Sequence, residues 1–150
     1  MNKIEFSKFI NFIFIVYLIC LLRLAVFRDS FSIFHIFEVG KYNLSFFSDL
    51  AEIYKNDKKI FLILFFGNLG WFLPFGTYLR YKNISILKIL FFSFLFSLLV
   101  ESSQFIFKCG IFEIDDLILN TIGAVLGAIF INIILNLKKE KNDKENKRFL

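Results

Sequence analysis

The stretch "VESSQFIFKCGIFEIDDLILNTIGAVLG", Val100 to Gly127, places Glu101, Gln104, Asp115, Asp116 and Asn120 among residues that are otherwise apolar. Three carboxylates and two amides at such positions suit two kinds of chemistry. Carboxylates can move protons or hold a hard cation through oxygen. Together with amides they can also grip the polar part of a ligand. As an enzyme, Glu101 would be the general base, with Asp115 and Asp116 as acid or metal partners. Against catalysis, the cluster contains no histidine, and there is no Ser–His or HExxH arrangement. No cofactor and no metal are expected; were a metal bound, Asp115 and Asp116 would take it. Cys20 and Cys109 form no CxxC or zinc spacing. His35, the single histidine, has no partner at ligand spacing and reads as an interfacial residue.

The spacing says which elements must carry these groups. Ser93, Ser97, Glu101, Gln104 and Lys108 recur every three or four residues, one polar stripe along a helix. Asp116, Asn120, Gly123 and Gly127 do the same, and the last two form Gly-x-x-x-Gly, which lets helices approach closely. Gly67, Gly70, Pro74 and Gly76 mark a second thin face and a candidate partner for the first.

Those helices belong in a lipid bilayer. The 150-residue chain is one domain, 57% hydrophobic, with a mean hydropathy of +0.67. Four apolar runs, about 9–27, 60–79, 86–107 and 117–137, each approach the ~20 residues that cross a bilayer. Backbone groups cannot stay unpaired in hydrocarbon, so each run should be helical. The first is too long for a signal-peptide core and contains Arg23, so it reads as a retained span. The expected fold is all-α and integral to the membrane: a four-helix transmembrane bundle, residues 1–137. A long interfacial loop would join helices one and two. Residues 138–150, "KKEKNDKENKRFL", read as a charged, disordered cytoplasmic tail.

Basic residues set the orientation. Eleven lie before the first run, around the turn between runs two and three, and in the tail; six lie on the opposite side. Both termini are therefore expected in the cytoplasm of a plasma-membrane protein. Arg23, Asn68, Glu101, Gln104, Asp115, Asp116 and Asn120 then fall at similar depth in the outer half of the membrane. Each has a structural explanation of its own. Arg23 could neutralise Glu101, Asp116 could cap the last helix, and the glycines could serve packing alone. Together the acidic groups exceed what one arginine and one cap require, which points to a polar site.

Three segments, "GNLGWFLPFG", "VESSQF" and "FEIDDLILNTIGAVLG", resemble the signature of the VanZ-like family of small multi-pass membrane proteins. The matching positions are Asn68, Pro74, Gly76, Glu101, Gln104, Asp115, Asp116, Asn120, Gly123 and Gly127. The chain departs from the pattern at "NLSFF", where the family often has a proline, and at Ile111 and Glu113. The family takes its name from an accessory factor in glycopeptide (teicoplanin) resistance. The resemblance thus implies a cell-envelope role, with membrane lipids as partners and a wall precursor or lipoglycopeptide antibiotic as further candidates. A membrane-embedded enzyme acting on a lipid-linked substrate is the second reading, and a partner-binding bundle without a small ligand the third. No nucleic-acid partner is expected, and nothing in the sequence specifies an oligomer.

Overall fold

The structure, a computed structural model, describes residues 2–146. Helix α1 (Lys3–Ala25) opens on a capping box: Asn2 Oδ1 accepts from the Glu5 amide at 2.8 Å, and the Asn2 amide donates to Glu5 at 3.1 Å. A 3-10 turn (Ile33–Phe37), strand β1 (Lys41–Asn43) and helix α2 (Ser48–Asn56) follow. Asp57 caps α3 (Lys58–Tyr81), accepting from the amides of Lys59 and Ile60 at 2.8 and 3.1 Å. A short turn leads to α4 (Ile86–Ile106), then strand β2 (Ile111–Glu113) and α5 (Ile114–Asn146).

Four of these helices are long and apolar enough to cross a membrane, in line with the expected all-α membrane bundle. Large apolar side chains such as Phe12, Ile19, Leu99 and Phe130 lie about two-thirds exposed on the bundle's outside. Water would penalise that surface; lipid does not. The interior is tightly built: Phe75 and Phe96 stack with centroids 5.1 Å apart, beside Phe72, Ile89, Val100, Ala124 and Ala128.

The seam between α3 and α5 explains the glycines. A Cβ on Gly123 would overlap the Leu69 carbonyl, one on Gly127 the Leu73 carbonyl, and one on Gly76 the Ala124 carbonyl. Backbone rests on backbone, and Thr77 Oγ1 reaches across to the Gly127 carbonyl at 3.2 Å. Gly67 and Gly70, expected to share this packing, do not: nothing lies within 4 Å of a Cβ at either. Pro74 also faces outward. The thin face of α3 runs through Leu69, Leu73 and Gly76, so of the four residues expected there Gly76 lies in the seam and Gly67, Gly70 and Pro74 do not.

One expectation gains detail and another needs correction. The long loop after α1 carries short elements of its own. Lys41, Tyr42 and Asn43 pair in parallel with Ile111, Phe112 and Glu113, a two-stranded sheet that ties this segment to the α4–α5 connection. Phe31 packs against Phe27 and Phe107 at 5.0 and 4.7 Å, whereas Phe34 and Phe46 remain exposed. And α5 does not end near Leu137 but continues to Asn146, through most of the tail expected to be disordered. The tail contains no Gly or Pro to stop a helix, and its lysines and glutamates are good helix formers. Residues 147–150, including Lys147 and Arg148, lie outside the described residues.

Candidate functional site

The C-terminal end of α1, the first half of α3, the end of α4 and the start of α5 meet at one end of the bundle. They enclose a cavity of about 150 Å³. Of the seven residues expected to form a polar site, five line it: Asn68, Glu101, Gln104, Asp116 and Asn120. Leu21, Trp71, Phe72 and Val100 supply apolar wall.

The polar groups are held by one another and by the backbone. Glu101 is 2% exposed, and its carboxylate accepts from the Glu113 amide at 3.1 Å. That amide belongs to β2, so the small sheet fixes a donor against the deepest acid of the site. Asn120 donates to Ser97 Oγ at 3.0 Å. Gln104 donates to the Ala25 carbonyl at 3.1 Å, joining α4 to the last turn of α1. Asn68 donates to Asp116, linking α3 to α5. Asp116 sits in the first turn of α5, where the helix dipole favours a negative charge. No buried side-chain N or O among the described residues lacks a partner. The site is preorganised, with spare lone pairs on Glu101 and Asp116 available to a donor.

Two expected members stand elsewhere. Arg23 does not pair with Glu101. Its guanidinium donates to the Phe27 carbonyl and lies 3.6 Å from Asp29, with 60% of the side chain exposed. Asp115 is buried but faces away from the cavity, and its carboxylate accepts from the Phe47 amide at 2.8 and 3.0 Å. Adjacent helical residues point about 100° apart, so Asp115 and Asp116 cannot both face one pocket. Asp115 is a clasp for the α1–α3 connection. It holds "NLSFF" where Phe47 adopts a left-handed backbone, φ 52°, just before α2.

The basic residue that does line the cavity is Arg28. The helix ends at Ala25, and the chain then folds back, with the Arg28 amide bonded to the Val26 carbonyl and Nε to the Leu24 carbonyl at 2.9 Å. This swings the guanidinium to the cavity rim. Among the described residues Arg28 forms no ion pair. Trp71 and Arg28 are the functional candidates that the sequence reading missed. A tryptophan at helical spacing from Asn68 was a usable signal for the first. Nothing in the sequence distinguished Arg28 from Arg23.

Outside the spans, Glu113 has its carboxyl pushed above the usual carboxylate range by burial, with Asp49 and Asp115 adding to it. Glu38 is held below its ordinary value by Lys108, its ion-pair partner. Burial pushes the Cys109 thiol up. His35 Nδ1 lies 3.1 Å from the Phe107 carbonyl, tying the 3-10 turn to the end of α4. Among the described residues, no group of three or more His, Cys, Asp or Glu side chains is placed to hold a metal ion.

Comparison with known proteins bears out the family resemblance. The chain is 32% identical over 113 residues to Protein VanZ of Enterococcus faecium. The match covers 74% of this chain and 66% of that protein, so the chain spans just under two thirds of its relative's length. No solved structure matches. The VanZ/LLP1 family profile matches residues 14–135, which takes in α3 and α4 whole, the second half of α1, most of the membrane-spanning part of α5 and every residue of the cavity, and the chain belongs to that family.

Proposed function

We propose that the cavity is a ligand site at the outer face of the plasma membrane, with both termini in the cytoplasm. It receives the polar end of an amphiphile: an envelope lipid headgroup, a lipid-linked wall precursor or a lipoglycopeptide antibiotic. One observation carries this reading. Three helices deliver two carboxylates and three amides into a single cavity, the turn after α1 adds the Arg28 guanidinium, and none of these groups is spent on an ion pair among the described residues. Ionisable groups within a membrane are expensive to keep and generally serve function. The cavity volume, about 150 Å³, suits a headgroup-sized moiety, with the apolar remainder of the ligand lying among the lipids. Glu101 and Asp116 would accept from ammonium or hydroxyl donors, and Arg28 at the rim would meet an anionic group.

The enzyme reading is the weaker of the two. It needs the adjacent carboxylates of Asp115 and Asp116 to act together, and Asp115 is occupied with the Phe47 amide. For a role in glycopeptide resistance, which membership of the family and the name of the Enterococcus relative suggest, the test is growth under teicoplanin. Cells producing the protein should tolerate more antibiotic than cells producing Glu101→Gln at equal membrane abundance. Equal tolerance would remove resistance from the reading. Orientation has its own test, in a background lacking Cys20 and Cys109. A single cysteine at Lys41 should react with an impermeant thiol reagent from outside, and one at Lys82 should not. The reverse pattern would turn the cavity toward the cytoplasm.

A further inference from the structure

At the end of the bundle opposite the polar cavity, α1, α3 and α5 leave a lengthwise groove of about 400 Å³, in the range of ligand sites. Its walls are apolar, with Ile10, Ile13 and Phe14 on α1, Thr77 on α3, and Ile131 and Ile134 on α5. Its mouth is not apolar. Tyr78, Tyr81 and Lys138 are part of the lining there. Lys82 stands over the two tyrosines, its ammonium 5.5 Å from one ring centroid and 5.7 Å from the other, and donates to Ser7 Oγ at 3.3 Å.

We propose that this groove is a binding site for one anionic phospholipid of the leaflet on the side of the α3–α4 turn. An acyl chain lies along α1 and α5, and the headgroup phosphate lies between Lys82 and Lys138. Within a membrane an apolar groove alone selects nothing, because lipid tails are as apolar as its walls. The charges make the selection. Among the described residues the ion pairs are Arg23–Asp29 and Lys108–Glu38, so neither Lys82 nor Lys138 has a carboxylate within 4.0 Å. Lys82 is half-buried, held by Ser7 and the tyrosine rings rather than swinging freely in water. Lys138 in the lining and Lys82, held against the lining residues Tyr78 and Tyr81, bring two ammonium groups to this end of an acyl-sized groove, and together they complement a phosphate. A zwitterionic headgroup would bring a third cation beside them.

The test is native mass spectrometry of the full-length protein released from nanodiscs. The nanodiscs hold equal parts phosphatidylglycerol and phosphatidylcholine with matched acyl chains. The unaltered protein should keep one phosphatidylglycerol at collision energies that strip phosphatidylcholine. Lys82→Gln with Lys138→Gln should lower that retention roughly ten-fold or more, as the loss of two basic groups near the membrane surface implies. Ile131→Trp, which fills the groove, should displace the retained lipid whatever its headgroup. Lys138 is exposed and Lys82, though half-buried, is a polar group at the helix end, so the double variant should fold even if Ile131→Trp does not. Equal retention of the two lipids would mean an annular lipid only and would overturn the proposal. So would undiminished phosphatidylglycerol on the lysine variant, or a second copy of the chain in the lipid's place. The groove does not depend on what fills the Glu101 cavity, and the variants touch no residue of that site.

Discussion

One face of α5 passes through two environments. At its start, Asp116 and Asn120 look into a polar cavity; two turns later, Gly123 and Gly127 press against the backbone of α3. The spacing is continuous, so the sequence pattern is the same along the face. What differs is what comes opposite. Around Asn120 the neighbours are Ser97 and the cavity; around Gly123 and Gly127 they are the Leu69 and Leu73 carbonyls. The tight half sets helix positions by backbone contact, with Thr77 donating across the seam, and the open half uses those positions to hold two acids that form no ion pair among the described residues. Stability and function are therefore expected to separate along a single helix face.

The largest expected effect comes from the tight half. Gly123→Leu and Gly127→Leu place side chains into opposing backbone, which cannot move aside as a side chain can. Each should destabilise by about 3 kcal/mol or more, read as a lower unfolding temperature in detergent. Gly67→Ala and Gly70→Ala meet open space and should leave that temperature unchanged or slightly raised. If all four behave alike, the seam is misplaced.

The open half should respond in the opposite way. Glu101→Gln keeps an acceptor for the Glu113 amide, and Asp116→Asn keeps a polar group beside Asn68. Both variants should fold and lose function. Arg28→Gln should follow them, whereas Arg23→Met should be close to neutral, since Arg23 touches only exposed groups at the helix end. Function lost with Arg23 and kept without Arg28 would restore the ion pair that the sequence suggested.

An intermediate effect is expected at the clasp. Asp115→Asn weakens the hold on the Phe47 amide and should cost ~1–3 kcal/mol, because it leaves a buried group poorly paired. Protease cleavage between α1 and α3 should rise in step.

The smallest effect concerns pH. A carboxyl whose folded-state value lies above its unfolded one is penalised when ionised. For Glu113 the penalty is absent in acid, grows as pH rises past the ordinary glutamate value, and is complete above the raised one. Glu113→Gln should therefore raise thermal stability slightly at neutral pH and not at all near pH 3–4, below the ordinary glutamate range. A gain of equal size at both would assign the effect to something other than ionisation.

How much of this was readable in advance follows from the same contrast. The four spans and five cavity residues were legible because helical periodicity fixes which side chains share a face. The partners of those faces were not. Gly-x-x-x-Gly says that a helix is thin there, but Leu69 and Leu73 meet it with backbone atoms, which leave no mark on residue type. Asp115 and Asp116 look alike in sequence, and only the rotation of α5 separates clasp from site. Arg28 was missed because α1 stops at Ala25 and folds back, so its depth could not be counted along a helix. The strands escaped because three residues each are too few to show alternation.

The central claim is that the Glu101 cavity holds a ligand and is not simply a buried polar patch. Its most direct test is native mass spectrometry of the protein from its own membranes, comparing three forms: unaltered, Arg23→Met, and Glu101→Gln with Asp116→Asn. The first two should carry the same bound amphiphile, and the double variant, folded and of unchanged thermal stability, should lack it. A folded double variant that carries the same added mass in the same proportion would contradict the account.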